Sequence, residues 1–117
     1  MSFKFEQLRV FQRYLDLSDS INSLVKKFPK EELYVLVSQM KRASDSISLN
    51  IAEGSTGQSN NEFKKFLNYS IRSGIEIIAC LHLSKRRNLI DEEEFTSVYN
   101  ETELLIILIQ ALRNSIK

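Results

Sequence analysis

Apolar residues in this chain recur at three- and four-residue steps, the spacing of one buried helix face, rather than at alternate positions as on a strand. Four such stretches follow one another. The first runs from about Phe5 to Lys27, with its main apolar positions at Leu8, Phe11, Leu15, Leu24, Val25 and Phe28. It stops at "KKFPKEE". Lys26 and Lys27 suit a helix C-terminus, Pro29 interrupts the pattern, and Glu31 and Glu32 suit the next N-terminus. The second stretch, about Glu31 to Glu53, carries a stripe of Leu33, Leu36, Met40, Ala43, Ile47 and Ile51. Gly54 is expected as its C-cap, and "GSTGQSNN" reads as a loop. Ser59 is an N-cap candidate for the third stretch, with Glu62 at the reciprocal position three residues on. That helix runs to about Arg87 with Phe63, Phe66, Leu67, Ser70, Gly74, Ile77 and Leu81 on one face. Ser70 and Gly74 are small enough to let a neighbouring backbone approach, and Ile71, Ile75 and Ile78 widen the apolar arc. In "KRRNLIDEEEF", Lys85, Arg86 and Arg87 end the third helix, and Asp91 caps a fourth whose first turn holds Glu92, Glu93 and Glu94.

Four helices with short connections predict an all-α fold, an antiparallel up-down-up-down four-helix bundle occupying residues 1–117 as one domain. Composition supports this: three Gly and one Pro in 117 residues favour long helices over a turn-rich β fold. No internal repeat or low-complexity segment appears. The net charge of +1 exerts no overall pull toward nucleic acid or an anionic membrane. The N-terminus has no apolar signal core, and no stretch approaches the length of a membrane span, so no membrane partner is expected. Cys80 stands alone, which precludes an internal disulfide and fits a reducing, cytoplasmic setting.

Two features exceed what a lone bundle needs. "LLIILI", Leu104 to Ile109, is six successive apolar residues. At about 100° per residue they visit every side of a helix. The run is too short to cross a membrane, so Leu104, Ile107 and Leu108 are candidate contacts with a second copy of the chain. The second feature is a polar line on the second helix. Arg42, Ser46, Asn50 and Glu53 fall within an arc of about 80°, beside the apolar stripe rather than opposite it. A flank of this kind meets a neighbouring helix or subunit, and Ser73 and Glu76 on the third helix are its natural partners. The plain alternative is a solvated row of polar side chains.

Catalytic chemistry finds little support. A di-iron bundle needs Glu-x-x-His on two helices, whereas His82 is the single histidine and no Glu precedes it by three. No Arg lies five to seven residues before it, as an all-helical nuclease would require. His82 reads as a side chain at the edge of the third helix's apolar arc. Cys80 lacks a base at motif spacing, and "GSTGQSN" fits no phosphate loop. Glu53 and Glu76 are paired carboxylates without a pocket motif. No catalytic residue, cofactor, metal or small-molecule substrate is expected.

The run "FPKEELYVLVSQMKRASDSISLNIAEG", then "EFKKFL" and "SGIE", resembles the four-helix-bundle family of proteins encoded in intervening sequences of 23S ribosomal RNA genes. The matching positions are Phe28, Pro29, Arg42, Ala43, Ser46, Asn50, Ile51, Ala52, Glu53, Gly54, Glu62, Phe63, Phe66, Leu67, Ser73 and Glu76. Arg72 replaces a usual Gly and Ser70 a usual Ala. The resemblance implies a bacterial, cytoplasmic, ring-like homopentamer, of a family for which no enzymatic activity is established. A related architecture serves as the accessory protein of diversity-generating retroelements, which is an analogy of fold.

Two function classes follow: an oligomeric scaffold or interaction protein, and an RNA- or DNA-binding accessory module. For the second, Lys26, Lys27 and Lys30 at one junction and Lys85, Arg86 and Arg87 at another are the candidate nucleic-acid contacts. Both junctions belong to the same end of an up-down bundle. Glu31, Glu32 and Asp91 to Glu94 share that end and partly neutralise it.

Overall fold

The computed structural model describes residues 3–57 and 59–117. Its four long helices are α1 (Arg9–Val25), α2 (Ser38–Gly54), α3 (Asn60–Arg86) and α4 (Glu92–Ser115), and no strand occurs among the described residues. Side-chain pairs fix the directions. Ser46 meets Ser73 while Gln39 meets Glu76; Gly74 faces Ile106 while Asn68 meets Arg113; Ser20 meets Glu101 while Lys27 meets Glu94. In each pair of helices one number rises as the other falls, so the bundle is antiparallel throughout. α2–α3 and α3–α4 form the most extensive contacts, and α1 closes the bundle against α2 and α4. The principal extents are 44 × 24 × 21 Å.

The third and fourth helices start where their caps predict. Ser59 Oγ accepts the Glu62 amide at 3.1 Å, although the Glu62 carboxylate turns to Lys65 instead of closing the reciprocal bond. Asp91 and Glu94 complete theirs, at 2.8 and 2.9 Å. Asn88 ends α3 with φ of 60°, a conformation that Asn tolerates better than most residues.

The first two elements depart from expectation. A 3₁₀ turn over Lys4–Gln7 precedes α1, and Leu8 is extended (φ −73°, ψ 134°), so no continuous helix begins at Phe5. The break lets Phe5 fold its ring edge-on against Phe11, 4.9 Å away. The buried face of α1 is Val10, Tyr14, Leu17, Ile21, Leu24 and Val25, while Leu15 is exposed. Leu15 and Leu17 lie two positions apart and cannot both face inward, and the neighbouring helices select Leu17. After Pro29 come a 3₁₀ turn, Lys30–Glu32, and a π-helical turn, Leu33–Val37. The wider turn rotates the register, burying Leu36 and Val37 and leaving Leu33 47% exposed, outside the predicted stripe.

Gly54 serves a different purpose from the expected left-handed cap. It is the last residue of α2, and a Cβ there would lie 2.7 Å from Phe66 Cβ and 3.1 Å from the Phe63 ring. Close approach of α3 requires it, and the left-handed position belongs to Gly57 (φ 88°). Ser70 likewise admits the backbone of α2, donating to the Ile47 carbonyl at 2.9 Å. Gly74 admits a side chain instead, Ile106 of α4.

Candidate interaction surface

The flank of α2 beside the core faces α3, and three of the polar side chains singled out by spacing meet there. Ser46 Oγ accepts from Asn50 Nδ2 at 3.0 Å and from Ser73 Oγ at 2.9 Å, and Asn50 also donates to the Ser46 carbonyl at 2.8 Å. The trio is half-buried and uncharged. Glu76 accepts from Gln39 Nε2 at 3.0 Å, and among the described residues Arg42 donates only to Ser38 Oγ, at 3.5 Å. Both are exposed. Glu53 is apart from the trio, in a concavity formed with Phe3, Lys4 and Phe5.

These residues line a groove made of adjoining concavities. The central one, of about 620 Å³, is bounded by Gln39, Arg42, Asp45, Ser46, Leu49, Asn50, Ser73 and Glu76. Gln39 and Glu76 also border an apolar end formed by Tyr34, Val35, Ala79 and Leu83, and Leu49 leads into the concavity at Phe3. Tyr34 is 87% exposed and Leu49 65%. Gln39, Leu49 and Tyr34 are absent from the sequence-predicted line. Gln39 precedes Arg42 by three residues and Leu49 follows Ser46 by three, so both continue the same row and both carried a signal. The exposure of Tyr34 depends on the π turn, which no periodicity announces. Among the described residues, every buried side-chain polar atom has a hydrogen-bond partner.

A second surface lies on α4. Leu105 and Ile109 enter the core, and Ile106 and Leu108 pack at its margins. Leu104 and Ile107 face outward, 40% and 52% exposed. The apolar run thus leaves an uncovered ridge.

The basic end is largely compensated. Lys27 pairs with Glu94, Lys85 with Glu92 at 2.6 Å, and Arg87 with Glu32 at 3.3 Å; Lys85 also sits over the Phe95 ring. Lys26, Lys30 and Arg86 are exposed and form no ion pair among the described residues. His82 rests edge-on against Phe95 at 5.0 Å. Burial, with a smaller contribution from Glu76, pushes the Cys80 thiol above its ordinary pKa, which keeps it protonated. No group of side chains able to hold a metal ion occurs among the described residues, and no helix among them is long and apolar enough to cross a membrane.

Comparison with known proteins agrees with this architecture. A crystal structure of a protein of unknown function from the S23 ribosomal protein family of Bacteroides thetaiotaomicron superposes with a TM-score of 0.81 at 26% identity, covering 89% of this chain and 97% of that one. No curated protein matches the chain. The family model for the 23S rRNA-intervening sequence protein matches residues 6–111. Spanning nearly the whole bundle, from before α1 to the last turn of α4, that match establishes that the chain belongs to the 23S rRNA-intervening sequence protein family.

Proposed function

We propose that this protein is a non-enzymatic homo-oligomeric scaffold, acting through self-association in the bacterial cytoplasm. The observation that carries the reading is the exposure of large apolar side chains on two separate faces, Tyr34, Val35, Leu49 and Leu83 along α2–α3 and Leu104 and Ile107 on α4. Full burial of such a side chain contributes about 1.5–3 kcal/mol, so several together offset the entropy of assembly. A pentameric ring is the stoichiometry the family resemblance implies. Light scattering at micromolar concentration tests it. A mass of several chains is expected, and a monomer would remove the reading.

Nucleic-acid binding is the second reading, supported by Lys26, Lys30 and Arg86, which a ring would repeat around one end. The ion pairs at Lys27, Lys85 and Arg87 weigh against it. Phosphate contacts would make RNA binding sequence-blind and much weaker at about 200 mM than at about 50 mM salt. Absence of binding at the lower salt eliminates it.

A further inference from the structure

We infer that the outward face of α3 is a docking surface for the phosphate backbone of a nucleic-acid duplex. This rests on the nucleic-acid reading above and moves its contact from the end of the bundle to its side, with Arg86 common to both. Lys64, Asn68, Arg72, Ile75, His82 and Arg86 follow one another at steps of three, four and seven residues, within an arc of about 80°. All are exposed except Lys64, which is half-buried. At the helical rise the row runs about 33 Å, and it is complete within one chain. Neither carboxylate of α3 falls on it. Glu62 and Glu76 lie outside the arc, where Glu62 pairs with Lys65 and Glu76 accepts from Gln39.

The cations are available. Lys64, Arg72 and Arg86 form no ion pair among the described residues. Arg113 of α4 reaches the same face, donating to Asn68 Oδ1 at 2.7 Å, and it too lacks a carboxylate partner among them. Counter-charge is sparse at the borders. Glu103 of α4 lies between Tyr99 and Ile106, which meet His82 and Gly74, so it borders the middle of the row, exposed and without an ion pair. Toward α2 the balance returns, with Arg42 beside Asp45 and Glu76. Guanidinium, ammonium and carboxamide groups are the donors that hold phosphate and sugar oxygens without reading sequence. They gather at the two ends of the row, with Ile75 and Ala79 between. The gap from Arg72 to His82 is about 15 Å. The major groove of B-form DNA is about 12 Å wide, and the minor groove of A-form RNA is also wide and shallow. Each end therefore reaches the backbone on one side of an open groove. A single strand is held chiefly by stacking on open ring faces, and the row's one ring, His82, is set edge-on against Phe95. A membrane-surface helix inserts an apolar face opposite its basic one, and in α3 that face fills the bundle core.

The test uses the full chain with a labelled RNA hairpin stem and a DNA stem of the same sequence, each about two helical turns long. Binding of either stem is expected at about 50 mM salt, with a steep loss of affinity by about 200 mM. Lys64→Gln, Arg72→Gln and Arg86→Gln, with helicity checked by circular dichroism, should each weaken binding roughly fivefold to tenfold and lower the slope of log K against log salt by about 1. Glu103→Gln should strengthen binding, which damage to the fold cannot imitate. Lys26→Gln combined with Lys30→Gln should change affinity by less than about twofold. Stem binding that survives Lys64→Gln and Arg72→Gln but is lost in the Lys26 and Lys30 variant overturns the α3 row and leaves nucleic-acid binding at the bundle end. Unstructured RNA bound more tightly than either stem overturns the duplex assignment. No binding of any of these nucleic acids at the lower salt overturns both the row and the reading it rests on, and binding instead to vesicles of phosphatidylcholine and phosphatidylserine would give the row to a membrane.

Discussion

Along the α2–α3 seam, Gly54 lies against Phe66 and Ser70 bonds to the Ile47 carbonyl, so backbone and side chain meet with no room between them. Across the bundle, the α1–α4 seam carries a surface cleft between Ser23, Lys27, Glu93 and Ser97 that equals the α2–α3 groove in volume, at about 620 Å³, but its rims are joined differently. Long side chains bridge it: Ser20 donates to Glu101 at 2.8 Å, and Lys27 pairs with Glu94. The difference is one of tolerance. Where helices touch through small residues, each position admits one side-chain size. Where they are joined by an ion pair and a hydrogen bond at an exposed rim, many sequences serve. The tight seam is also bordered by exposed apolar residues, Tyr34, Val35, Leu49 and Leu83.

The largest effect that tests this contrast is steric. Gly54→Val should destabilise the fold by about 1–3 kcal/mol in urea unfolding, since the new Cβ meets the rigid Cβ of Phe66. Ser23→Leu on the open seam should change stability by no more than about 0.5 kcal/mol. Equal losses would abolish the distinction.

Next is the buried hydroxyl. Ser70→Ala removes the bond to Ile47 and should lower stability by about 1 kcal/mol, against about 0.5 kcal/mol for Ser20→Ala, whose partner Glu101 can turn to water. Smaller again is Lys27→Ala, expected at about 0.2–1 kcal/mol at low ionic strength and fading in high salt. A salt-insensitive loss would show the α1–α4 pair to be packed rather than solvated.

The smallest effect is confined to alkaline solution. Cys80, beside the tight seam, has a thiol pKa raised by burial. The unfolded chain therefore gives up this proton first, and stability contributed by the buried thiol falls as pH rises past the ordinary thiol pKa. Cys80→Val should flatten that decline in a series of melting curves, and an unchanged slope would assign it to other groups.

The fold was legible where side-chain chemistry speaks locally. Asp91 with Glu94, Ser59, Pro29 and the charge runs at helix ends mark boundaries through hydrogen bonds or dipoles that need no tertiary partner. What depends on packing was less legible. In α1, Leu15 and Leu17 offer competing phases, and only the surrounding helices decide. At Leu33 the phase shifts with the π turn. Gly54 was visible as a special residue, but its reason, the approach of Phe66, lies twelve positions along the chain. The polar line on α2 was placed on the correct flank, because helical spacing alone determines that. Its division into a hydrogen-bonded trio and an outlying Glu53 was not, because it depends on where α2 ends and on how the N-terminal turn folds over it.

The π turn at Leu33–Val37 has a consequence for chain length. Its i→i+5 hydrogen bonds hold one residue more than an α-helical turn. It behaves as a single-residue insertion absorbed before Ser38, so every position downstream keeps its place in the bundle. Deleting one residue from this turn would restore α geometry while Leu33 and the residues before it keep their places. The apolar end of the groove would then lose one of the exposed side chains the turn displays, such as Tyr34 or Val35. Two lengths of this element can therefore serve one scaffold, and they differ in what the groove displays rather than in how the bundle is built.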